Sequence, residues 1–194
     1  ITTNRRQNSF PMKRREFLQS SALAGTLGAF PLPLPAQPGD PIKPFYLPPN
    51  TGEFLKGARG VDIRILIRNG QTGGQLSCVE LKIGPKQMGP APHVHRDLDE
   101  IMFVQEGTIT VMVGDELHEV KAGGWHLRPH GIVHTFWNAT DQPARAIDLF
   151  LHQNLEDQLE EFFTKVVPAL RAKGLTPDSP EGRRAKDELD ARYG

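Results

Sequence analysis

Three histidines and one glutamate, His93, His95, Glu100 and His134, stand at spacings suited to gathering three imidazoles and a carboxylate around one divalent metal ion. His93 and His95 flank Val94, four residues separate His95 from Glu100, and six more lead to Gly107. A second cluster follows the order Gly123, Pro129, Gly131, His134 and Asn138, with gaps of five, one, two and three residues. Side chains two apart on a strand share a face, so His93 and His95 can point inward together. Glu100 then falls on the next strand, and His134 has to arrive from a strand distant in sequence but adjacent in a closed sheet. Neutral imidazole suits Zn, Cu, Fe and Ni, and one carboxylate partly offsets the ion's charge; the same ligands also serve Mn and Co, so the set leaves the metal's identity open.

The elements that must carry these residues are strands. Val61, Ile63, Ile65 and Ile67 alternate with polar neighbours, the period of a half-buried strand. Comparable segments follow at residues 75–83, 99–105, 108–113, 117–120, 125–128, 132–138 and 144–151, parted by turn chemistry at Asn69-Gly70, Glu106-Gly107, Gly114-Asp115, Gly123-Gly124 and Asp141-Gln142-Pro143. Alternation from Glu100 sends Met102 and Val104 inward, and alternation from His134 does the same for Ile132 and Phe136, giving four candidates for an apolar pocket wall. Ile101 and Phe103 fall on the opposite face, where burial of each is worth roughly 1.5 to 3 kcal/mol; a helix, the N-terminal arm or a second subunit, hence a homodimer, is expected to cover them. After Gln153 the period changes: Leu155, Leu159, Phe162, Phe163, Val166, Val167 and Leu170 recur at helical spacing, with Asn154 and Asp157 placed as an N-terminal cap. Pro168 is expected to kink or end that helix, and the charged stretch 180–193, its apolar face nearly empty, to form a fraying second one.

The first 36 residues read as an address label. Lys13-Arg14-Arg15-Glu16-Phe17-Leu18 has the twin-arginine export pattern, an apolar stretch from Ser20 to Phe30 follows, and Leu34-Pro35-Ala36 offers cleavage after Ala36. Met12 is a natural start, with residues 1–11 an upstream extension. The export machinery is thus an expected partner and the periplasm the expected location, with no membrane span in the mature form because the apolar stretch is too short and too interrupted. Residues 1–36 hold five of the 23 basic side chains and one of the 23 acidic ones, which leaves 18 against 22 and a mature chain near −4. That balance, without a basic stripe, argues against nucleic acid as a partner. A single cysteine, Cys78, excludes an intramolecular disulfide and reads as a small apolar strand residue.

Both motif clusters resemble those of the cupin superfamily over about residues 60–152. The first motif is met by His93, His95, Glu100 and Gly107, the second by Gly123, Pro129, Gly131, His134 and Asn138; Gln87 stands where the first motif begins with glycine. The resemblance implies an all-β jelly-roll barrel with His93, His95, Glu100 and His134 as ligands of one divalent transition metal (Fe, Mn, Ni, Cu, Co or Zn). The domain plan is then 1–36 as extension and signal, 37–59 as a Pro-rich arm, 60–152 as the barrel and 153–194 as a C-terminal helical segment. The ligand set is similar to that of the quercetin dioxygenase branch, which implies an oxidoreductase acting on a small aromatic or enolised oxygen-rich compound, with Glu100 able to accept a substrate proton. Non-oxidative isomerase or lyase chemistry, and small-molecule binding without turnover, are the rival readings. His118, His126, His130 and His152 fall outside the pattern, His126 being the one placed to support a ligand.

Overall fold

In the computed structural model, residues 41–58 and 60–193 are described; the stretch expected to direct export, 1–36, lies outside them. Among the described residues, eight strands form two antiparallel sheets: β1 (Val61–Ile67), β2 (Leu76–Ile83), β3 (Asp99–Glu106), β4 (Thr108–Val113), β5 (Glu116–Lys121), β6 (Trp125–Arg128), β7 (His134–Trp137) and β8 (Ala144–Leu151). One sheet has the order β1-β2-β8-β3-β6 and the other β5-β4-β7. The expected strands are all present, and the only one shortened by more than a residue at its start is β7, which begins at His134 rather than Ile132.

The two sheets face each other across one apolar layer. Alternation puts Val79 and Leu81 of β2, Met102 and Val104 of β3, and Ala146 and Phe150 of β8 on the inner side of the larger sheet; Ile109, Val111, Val120 and Phe136 answer from the smaller one. Register carries this across strands, with Met102 opposite Asp148 and Val104 opposite Ala146. On the outer side Ile101 and Phe103 are half-buried, and Phe103 packs its ring on Trp125 with centroids 4.5 Å apart.

Charge is buried on the larger sheet as well. Glu80, 2% exposed, accepts from the Nε atoms of both Arg64 and Arg145 at 3.0 Å, and Arg145 Nη1 also reaches Glu106 at 2.6 Å. Each carboxylate oxygen of Glu80 is satisfied by a guanidinium, the condition under which a buried ion group is tolerated. Cys78 is buried and unpaired, and burial, with the negative charges of Asp148 and Glu80, pushes its thiol up to about 12.

Beyond β8 the chain turns through His152 and enters α1 (Leu155–Glu161), which runs through a π-turn at Phe162–Val166 into α2 (Val167–Ala172). Pro168 neither ends nor interrupts the run. It sits in the first turn of α2, and the wider π-turn ahead of it absorbs the missing N–H and the ring's bulk. The Asn154 cap is not made through its side chain; Asn154 accepts the Asp157 N–H on its backbone oxygen at 3.1 Å instead. The last helix, α3 (Pro180–Tyr193), is ordered along 14 residues, because Leu189 is buried and polar side chains tie it to α1: Gln158 Nε2 donates to Asp190 at 2.6 Å and Arg192 Nη2 to Glu161 at 2.8 Å. One apolar residue supplemented by polar clasps holds what a hydrophobic stripe did not.

Candidate metal centre

The four predicted ligands come from both sheets and the loop between them. Glu100 lies near the start of β3, opposite Arg128 of β6 and Phe150 of β8, and is 3% exposed. His134 opens β7 in the facing sheet, opposite Val113 of β4, and has no exposed surface. The loop bearing His93 and His95 is stapled alongside β7: His93 and His134 exchange backbone bonds at 3.1 and 2.8 Å, Gly89 N–H donates to Phe136 O at 2.9 Å, and Gly131 N–H donates to His95 O at 2.8 Å. A Cβ on Gly89 would stand 2.6 Å from that Phe136 oxygen, so only glycine lets the loop approach so closely. The turn after β6 is fixed by Asp99, whose Oδ1 accepts from His130 N–H at 2.8 Å and from its Nδ1 at 2.7 Å. Asn138 closes the other end of β7, donating from Nδ2 to the carbonyls of Ile83, Gly84 and Gln142 and accepting from Thr140.

One potential ligand atom from each of the four residues lies within 4.8 Å of the others. Tautomers follow from the backbone. His93 Nδ1 is 2.9 Å from Ala91 O and His134 Nδ1 is 3.0 Å from Ile132 O; a carbonyl only accepts, so each Nδ1 carries the proton and each Nε2 presents a lone pair. His95 Nε2 stands 3.0 Å from Glu100 Oε1, and His134 Nε2 stands 3.4 Å from Oε2. The buried His95 and His134 Nε2 atoms have no hydrogen-bond partner, a costly arrangement for polar atoms shielded from water. Converging lone pairs without donors are what a cation would satisfy, and three nitrogens with one carboxylate oxygen fit a divalent transition metal. Such an ion, when bound, supplies Lewis acidity toward a chelating oxygen and, if redox-active, a one-electron couple.

The electrostatics agree with ligands held ready. Burial pushes the His93 imidazole down to about 4, against the pull of Glu100's negative charge, so it stays neutral. Burial alone would raise Glu100, yet the Arg128 guanidinium holds it well below the usual carboxylate range.

Arg128 is the functional residue that motif reasoning missed. It is wholly buried; its Nη2 donates to Asp148 Oδ1 and forms an ion pair with Glu100 Oε2 at 2.9 Å. Its strand reverses the usual pattern: Trp125 and Leu127 are 62% and 53% exposed, while His126 and Arg128 turn inward. An aspartate among apolar neighbours on β8, Asp148, was the available signal. Asp148 is itself pushed up to about 6 by burial, with Arg128 opposing. The second oxygen of Glu100, expected to be available to a substrate proton, is thus already ion-paired with a guanidinium.

The remaining predicted site residues separate. Met102 and Val104 have no exposed surface, Phe136 is 6% exposed, and all three belong to the packed core; Ile132 precedes β7 and is 40% exposed. His118 pairs with Glu116 at 3.1 Å, His130 with Asp99, and His126 Nδ1 is buried without a partner. At Gln87 the first motif departs from glycine, and the positive φ of that loop falls on Lys86 instead.

Residues 79–150 match the cupin domain family, from β2 to the end of β8. The fold agrees with solved structures: KdgF from Halomonas sp. superposes with a TM-score of 0.52 at 20% identity, covering 58% of this chain and 99% of that one. An RmlC-like cupin from Shewanella frigidimarina gives 0.50 at 18% identity, covering 59% and 96%. Among curated proteins none matches in sequence. Residues 79–150 thus match a cupin domain within a jelly-roll-like fold, with a group of three histidines and one glutamate able to hold a metal, and C-terminal helices follow outside the matched stretch.

Proposed function

We propose that this chain is an exported metal-dependent cupin enzyme, an oxidoreductase of the dioxygenase kind acting on a small aromatic or enolised oxygen-rich compound. The observation that carries the reading is the convergence of two orphaned imidazole nitrogens with an ionised carboxylate, with Glu100 and His134 sealed in the interior. His93, His95, Glu100 and His134 hold the ion; Arg128 keeps Glu100 charged and oriented; the fixed tautomers of His93 and His134 spare the site any proton rearrangement on loading. Oxygen uptake by protein loaded with Fe, Mn, Ni or Cu, offered flavonols and enediols, tests this. Uptake with at least one metal is expected, and its absence throughout refutes the oxidative assignment.

A non-oxidative isomerase or lyase is the second reading. Supporting it is the engagement of Glu100 Oε2 by Arg128, which suits a carboxylate acting as a fixed charge. Product formed under strict anaerobiosis decides for it. Export rests on the Arg14-Arg15 segment, and N-terminal sequencing of the periplasmic protein should find a start near Gln37; a cytosolic protein beginning at Met12 refutes export. Among the described residues no helix is long and apolar enough to cross a membrane.

A further inference from the structure

Beside the metal centre lies a cavity of about 410 Å³, walled on one side by His93, His95 and the rest of their loop to Leu98, and on the other by the chain beyond the barrel. The far wall consists of Gln153 to Leu155, Gln158 of α1, and Lys186, Asp190 and Tyr193 of α3. None of these far-wall residues lies within the matched stretch 79–150.

Its chemistry is selective. Three carboxamides, Gln153, Asn154 and Gln158, each offer both a donor and an acceptor, the functionality that reads hydroxyl groups. Lys186 has three N–H donors and gives one to Asp190, while the other Asp190 oxygen accepts from Gln158 at 2.6 Å. This clasp holds an ammonium at the rim with donors to spare. Tyr193 is the only phenyl-type ring in the lining, and its hydroxyl is turned to Glu161 at 3.1 Å. Met102, Val104 and Phe136 are packed in the core and do not line the cavity, whose apolar lining is limited to Val94, Leu98 and Leu155 beside the carboxamides and charged groups. The volume lies at the small end of ligand pockets, roughly 300–1,000 Å³.

We propose that this cavity is the substrate-binding room of the metal centre and takes a small polyhydroxylated carboxylate, with its hydroxyls on the carboxamides of Gln153, Asn154 and Gln158 and its charge shared between the ion and Lys186. The proposal rests on the reading of a metal-dependent enzyme and, of the substrate classes named there, turns from the aromatic one to oxygen-rich, hydroxylated compounds. Lys186 and Gln158 are then specificity residues contributed by the C-terminal helices.

The test is calorimetric titration of the full chain, loaded with Mn(II), using gluconate as the hydroxylated probe and catechol as the flat aromatic one. Gluconate is expected to bind, and to bind roughly five- to tenfold more weakly to Lys186→Met and to Gln158→Ala, the loss of one hydrogen bond each, with Mn(II) content unchanged. Lys186 is a half-exposed helix position, so its variant is not expected to unfold; circular dichroism checks this. Gluconate binding that needs Mn(II) but ignores both substitutions overturns the cavity assignment alone. Binding of catechol without gluconate overturns the substrate class. Gluconate binding that is indifferent to Mn(II) overturns the metal-dependent reading beneath it.

Discussion

Replacing Arg128 by methionine isolates the charge balance at the site. The guanidinium is fully buried between two carboxylates, Glu100 and Asp148, themselves 3% exposed. Methionine keeps most of the volume and removes the cation that both carboxylates share. Breaking a buried ion group by deleting one partner costs about 3–5 kcal/mol, because the survivors stay desolvated without compensation. For a domain of this size each kcal/mol moves Tm by about 2–4 °C, so the metal-free variant should melt ~6–20 °C below the wild type. The sign with pH is fixed. Without Arg128 the folded Asp148, already raised by burial, rises further and Glu100 loses the largest charge that lowers it, so the variant's deficit relative to wild type shrinks at acid pH and grows as pH rises past the carboxylate range. Its deficit should therefore be larger at pH 8 than at pH 5. Zn(II) replaces the missing positive charge and should raise Tm more in the variant than in the wild type. Thermal melts by circular dichroism at the two pH values, with and without Zn(II), measure all of this. A metal-free variant within about 2 °C of wild type at pH 8, or a deficit that grows toward pH 5, refutes the reasoning.

The remaining predictions concern single groups. In the metal-free protein the His93 imidazole should titrate near 4 by NMR, and a midpoint near 6.5 contradicts its burial; since the unfolded chain takes up this proton first, the contribution of His93 to stability should be flat above pH 6.5 and fall by roughly 3 kcal/mol toward pH 4, read as the difference from His93→Gln. Glu80→Ala leaves Arg64 and Arg145 facing each other without their shared carboxylate and should cost about 3–5 kcal/mol in urea unfolding, a loss under 1 kcal/mol counting against the triad. Cys78, its thiol pushed up to about 12, should resist a disulfide reagent at pH 8 in the folded protein and react fully in guanidinium; rapid labelling of the native state contradicts the burial.

Much of the barrel was legible because alternation and turn residues speak locally. Strand β8 shows the limit: its alternation was readable, but that Asp148 faces inward toward Arg128 was not, since the two meet only after β6 and β8 pack on either side of β3. Strand β6 misleads for the same reason, as its apolar Trp125 and Leu127 turn outward so that Arg128 can reach Glu100. The ligand quartet survived translation into space because fixed loop lengths tie His93 and His95 to β7 through backbone bonds. Ile132 did not follow the alternation of His134, since the turn after Gly131 delays β7 by two residues. Order in α3 was invisible for a different reason: it depends on side-chain clasps to α1, which leave no periodic apolar trace.

Metal content by elemental analysis tests the central claim most directly, comparing purified wild-type protein with His95→Ala and His134→Ala. Close to one divalent transition metal per chain is predicted for the wild type, with a sharp loss in both variants while circular dichroism stays that of the folded barrel. A folded wild type that takes up no such metal on reconstitution, or variants that retain full stoichiometry, contradicts the assignment of His93, His95, Glu100 and His134 as one metal centre.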